Sequence, residues 1–118
     1  MSYKHLNASD VVFTMEAEED DCEVRGNAMV SGDDTYDSEV ENEILARLNV
    51  GDIWAWASVL VTATDSKTGL TGHDYLRCCS YKDAADFIQT SGYYEDMKHT
   101  ALDNLNQERY RMWRALSQ

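Results

Sequence analysis

Four side chains lying close together in the sequence, His73, Asp74, Tyr75 and Cys79, are of the types that do catalysis. An imidazole can act as base, a carboxylate can orient it, and a thiol can attack as nucleophile. His73 and Cys79 fall on the same face of an extended segment, but roughly 20 Å apart along it, too far to pair directly. His5 and His99 are distant in sequence, and the chain has no nucleotide-binding glycine loop, no G-x-S-x-G and no H-E-x-x-H. Oxygen ligands are plentiful in Glu18-Glu19-Asp20-Asp21-Cys22-Glu23 and in Asp33-Asp34-x-x-Asp37. Neither run has the alternating acids, central glycine and closing glutamate of a calcium loop. His73-Asp74 with Cys78 and Cys79 lacks a zinc spacing. The expectation is a non-enzymatic protein with no catalytic set, metal or cofactor. The alternatives are a small metal-dependent enzyme using carboxylates with His73 or Cys79, and a structural or oligomeric accessory protein.

Charge is the stronger signal. Of the formal −12, residues 1–50 carry −10, from 13 acids and three bases, and residues 51–118 carry −2. Such a surplus repels nucleic acid and acidic membranes and attracts basic partners at long range. Carboxylates four apart on a helix stand about 6 Å apart, comparable to phosphates along a nucleic-acid strand. The candidate partner-binding residues are Glu18, Glu19, Asp20, Asp21, Asp33, Asp34, Asp37 and Glu41. A solvated face that keeps a small protein soluble is the simpler account of the same acids. Trp54, Trp56, Tyr75, Tyr81, Tyr93 and Tyr94 have too little nearby positive charge for a base-stacking platform and read as core or interface packing.

These residues need elements to position them. Val11 to Met15 is β-branched and aromatic, so a strand is expected from 10 to 18, with the acids 18–21 at a hairpin tip and a return strand over 22–30. Tyr36, Val40, Ile44 and Leu48 recur every four residues and predict a helix, capped by Asp33 or Asp34 and ended at Asn49 and Gly51. A Glu43–Arg47 pair is expected on it. Residues 53–64 alternate as a long strand whose small aliphatic face invites close helix packing. The loop 65–69 and a strand over 70–81 follow, then a short helical turn over 82–88 and a helix from 93 or 94 to about 116. The sum is one α+β domain over 1–118: a four-stranded antiparallel sheet in ββαββα order with helices on one face.

Three cysteines without a C-x-x-C spacing suggest reduced thiols, and no run is apolar enough to cross a bilayer, so the expected location is the cytoplasm. The last helix, with Met112, Trp113 and Leu116 beside Arg109 and Arg114, is a candidate homodimer surface.

Several segments together, Arg25-Gly26-Asn27-Ala28, Ser31-Gly32-Asp33-Asp34, Gly51 to Trp56, Gly69 to Leu76, Cys78 to Tyr81, and Gly92 to Met97, resemble small acidic accessory proteins of phages, prophages and plasmids. The resemblance carries no residue roles. It implies a context in which such proteins inhibit host defence, including anti-restriction and anti-CRISPR proteins. The expected partner is a host protein with a basic nucleic-acid-binding surface, a nuclease or a CRISPR or restriction complex, with no direct nucleic-acid binding and no membrane.

Overall fold

The computed structural model describes residues 3–117. Alternation between half-buried and exposed residues makes Val11–Glu19 a strand, β1; Ala57–Asp65 is β2 and Thr71–Cys79 is β3. They form a three-stranded antiparallel sheet in the order β1-β2-β3. Helix α1 spans Asp34–Asn49, α2 spans Ala84–Thr90, and α3 spans Tyr94–Leu116. The order is βαββα, so the fourth strand expected over 22–30 is absent. Residues 20–33 instead run without regular structure, because their donors and acceptors go to side chains and turns rather than to a ladder. The long strand expected from 53 is likewise shorter: Ile53–Ala55 is a 3-10 turn that precedes β2.

The chain gathers into two compact units, one of residues 3–15, 60–75 and 92–117, here the terminal unit, and one of residues 16–59 and 76–91, here the acidic unit. In the terminal unit, Val61, Ala63, Ala101 and Leu105 have no exposed surface. Gly72 of β3 is there for a steric reason. A Cβ at that position would run into the backbone of α3 at Ala101 and Leu105, so only glycine permits this approach. Asn106, buried on α3, holds the N-terminal segment through its side chain: it accepts from the Leu6 amide at 2.8 Å and donates to the Leu6 carbonyl at 3.1 Å. Tyr3 adds a hydroxyl bond to the Asn106 carbonyl at 2.7 Å and packs edge-on against Tyr110. The α3 stripe read from the sequence is buried at Met97, Ala101 and Leu105, but Met112 and Leu116 are exposed.

In the acidic unit, Val24, Ile44, Ala55 and Trp56 form a core with Cys22, Val40, Leu45, Leu48 and Cys78 around it. Asp33 is the N-cap of α1, accepting from the amides of Thr35 and Tyr36, and Gly51 at φ +87° turns the chain out after Asn49. Arg47 does not pair with Glu43. Its guanidinium meets Asp52 at 2.8 Å and donates to the Tyr81 carbonyl at 2.7 Å, because residues after the helix return within its reach. Phe87 of α2 is fully buried, with Trp54 and Tyr81 packed on its ring.

Candidate partner-binding surface

The acidic unit holds 15 acids and four bases, a net −11, whereas the terminal unit holds seven acids and six bases. The surplus therefore gathers by folded unit more sharply than by position in the chain. Eight of the 15 carboxylates serve the unit internally, and five of those eight, Asp20, Asp21, Asp33, Asp37 and Glu41, are residues that the sequence nominates for a partner.

Asp20 is the most committed. Its side chain has no exposed surface. Its two oxygens accept from the amides of Cys22 at 2.8 Å and Cys78 at 2.7 Å, from the Ser58 hydroxyl at 3.0 Å, and from Arg77 at 3.2 Å. Burial alone would raise its carboxyl, but the bonds from Cys78, Cys22, Ser58 and Arg77 outweigh burial and hold it down at about 2. The expected hairpin tip is thus an anchor at this residue, which cannot face a partner.

Glu41 is buried as well. It accepts from the Gly26 amide at 2.6 Å and pairs with Arg25 at 3.3 Å, so it fastens the 20–33 segment to α1. Asp37 accepts from the Ser31 hydroxyl at 2.6 Å, and Asp33 is consumed by its cap. Asp21 is exposed and pairs with Arg77. Glu18, Glu19 and Asp34 alone of the eight are exposed and make no hydrogen bond or ion pair among the described residues.

Four further carboxylates meet that description: Glu16, Glu23, Glu39 and Glu43. A signal for Glu16 was present in the alternation of β1, which places it beside Glu18 on the exposed face. The i,i+4 spacing does the same for Glu39 and Glu43 on α1. Seven unpartnered carboxylates thus remain, while three of the four bases in the unit, Arg25, Arg47 and Arg77, are already tied to acids.

Cys22 and Cys78 form a disulfide, with Cα atoms 6.1 Å apart. This overturns the expectation of three reduced thiols. Their 56-residue separation hid the pairing, and it is the shared Asp20 that brings their backbones together. Cys78 sits at φ +57°, a left-handed conformation unusual for a residue with a side chain, held by that hydrogen bond and the disulfide.

Cys79 is free and buried; burial, reinforced by the nearby Asp20 charge, pushes its thiol up to about 11. It is a poor nucleophile at neutral pH. The His73 ring bonds the hydroxyls of Thr62 at 3.0 Å and Thr71 at 3.3 Å, and the Asn104 side chain donates to the His73 backbone carbonyl at 2.8 Å. Among the described residues no three His, Cys, Asp or Glu side chains group as metal ligands, and no helix is long and apolar enough to cross a membrane. Comparison with family models, with curated proteins and with solved structures returns no match to this chain.

Proposed function

We propose that this is a non-enzymatic binding protein whose acidic unit engages a basic, nucleic-acid-binding surface of a host protein. The observation that carries the reading is the set of seven exposed, unpartnered carboxylates, Glu16, Glu18, Glu19, Glu23, Asp34, Glu39 and Glu43, in a unit whose arginines are internally engaged. Such a surface is recognised by clustered Lys and Arg, and its association is fast and salt-sensitive, as for a nucleic-acid strand. Six of the seven sit on β1 and α1, and the internal carboxylates fix the 20–33 segment that carries the seventh, Glu23, which limits the entropy cost of ordering on binding.

The setting in which this reading makes most sense is the cytoplasm of a host cell, with a defence nuclease or a CRISPR or restriction complex as the partner. A reducing pool would act on Cys22–Cys78 there. The four partners of Asp20 keep the segment anchored independently of the disulfide.

The test is capture of host proteins on the immobilised chain at low salt, beside a Glu18→Lys/Glu19→Lys/Asp34→Lys/Glu39→Lys variant, with duplex DNA as competitor. Support is a partner held by the parent chain, lost from the variant and displaced by DNA. A partner that the variant still holds, or that DNA leaves in place, overturns the proposal.

A further inference from the structure

Independently of the acidic surface, we propose that a cleft in the terminal unit binds a phosphate group, free or as the ester of a small organic molecule. The cleft has a volume of about 440 Å³ and lies where the N-terminal segment, the β2–β3 loop and α3 meet. Small-ligand sites start at about 300 Å³, so a phosphate leaves space for an organic body.

Cations outnumber carboxylates in its lining by three to two. Lys4, Lys67 and Arg109 line it, and the ammonium groups of both lysines have no partner among the described residues. The hydroxyls of Ser9 and Ser66, also in the lining, have no partner among the described residues either. Arg109 is held in position: Nε lies 3.6 Å from Asp65, Nη1 donates to the Lys4 carbonyl at 3.0 Å, and the guanidinium lies over the Tyr3 ring, 5.5 Å from its centre. Its Nη2 remains unbonded among the described residues.

Both carboxylates in the cleft already accept hydrogen bonds from their own segments. Asp65, 3% exposed, takes the Lys67 amide at 3.0 Å on one oxygen and the Thr68 hydroxyl at 2.7 Å on the other, the latter oxygen also facing Arg109. Asp10 takes the Asn7 amide at 2.8 Å. Asp65 and Asp10 therefore organise the loop and the segment, while the two lysine ammonium groups, Nη2 of Arg109 and two hydroxyls are left to donate. A ligand with several acceptor oxygens and no donor satisfies that set, and a phosphate is the compact group of that kind. A chain of net −12 would otherwise repel such an anion, so a local surplus of donors is what admits it.

The experiment is a ¹H–¹⁵N NMR titration of the full chain with inorganic phosphate and with phenyl phosphate at constant ionic strength. We expect saturable shifts centred on the amides of Ser9, Ser66, Lys67 and Thr68. Tighter binding of the ester assigns an organic phosphate, and equal binding assigns the free ion. Lys4→Gln/Lys67→Gln should weaken binding at least about tenfold, while Arg111→Gln/Arg114→Gln, on α3 outside the cleft, should leave it unchanged. Both lysines are exposed, so the melting temperature of their variant should match the parent, which separates lost binding from lost folding. Ser66→Asp, which adds a carboxylate to the lining, should abolish the shifts. Shifts that grow linearly without saturating, equal losses in the lysine and arginine variants, or undiminished binding by Lys4→Gln/Lys67→Gln would overturn the proposal.

Discussion

Asp20 accepts a hydrogen bond from the backbone amide of Cys78 at 2.7 Å, across 58 residues of sequence, and the same carboxylate accepts from Cys22, to which Cys78 is disulfide-bonded. One anion therefore sits at the root of the cross-link. A covalent tie and an ionic one hold the same junction, each able to position the acidic segment if the other is weakened.

The ionic tie has a pH signature. The Asp20 carboxyl is held at about 2, below its ordinary 3.8. A depressed acid contributes stability that is complete above the unfolded value and is lost as pH falls through the folded one. We expect urea unfolding of the parent chain to weaken between pH 4 and pH 2. Asp20→Asn should lower stability at pH 7 by about 2–4 kcal/mol, because buried donors lose a charged acceptor, and should flatten that acid limb. Parallel pH profiles for the two proteins would show that Asp20 is not the source.

The covalent tie is testable by thiol chemistry. Closing a loop of this length is worth roughly 4 kcal/mol in the chain-entropy picture, so Cys22→Ser/Cys78→Ser should be destabilised by up to about that amount. After mild reduction of the native protein, iodoacetamide at pH 8 should add to Cys22 and Cys78 and spare Cys79, whose buried thiol is pushed up to about 11. Intact mass should then show two adducts under native conditions and three in urea. A third adduct in the native protein would contradict the protected position of Cys79.

Two glutamates one turn-fraction apart on α1 should behave in opposite ways. Glu41→Ala removes the acceptor of the Gly26 amide and the partner of Arg25, and should cost about 1–3 kcal/mol of stability. Glu39→Ala, exposed and unpartnered, should fall within about 0.5 kcal/mol of the parent. Thermal melts of the two variants decide this, and equal destabilisation would undo the division between internal and outward carboxylates.

Several elements were legible from local pattern. The helical periodicity of Tyr36, Val40, Ile44 and Leu48 marked α1, with Asp33 capping it and Gly51 ending it, because a helix is stabilised by residues near in sequence. The β2–β3 loop and the reach of α3 followed from the same kind of signal. The strand expected over 22–30 did not form: its residues are β-capable, but a strand needs a partner ladder, and here Glu41 and Asp20 supply competing bonds. Glu41 could have been found in the sequence. Ile44, Leu45 and Leu48 stand at i+3, i+4 and i+7 from it, which puts it on the edge of the buried face, but an acid there invites a solvent-facing reading.

What the sequence by itself determined is the charge, −12 with most of it before residue 44, and the α+β character, since both follow from composition and short-range periodicity. What only the tertiary structure decided is which acids are available to a partner. Eight carboxylates of the acidic unit bond to amides, hydroxyls and arginines of the unit, and seven have no such partner among the described residues. The physical reason is that a carboxylate's use is set by the donors around it. Those donors, such as Cys78 for Asp20 and Gly26 for Glu41, are neighbours in space and strangers in sequence.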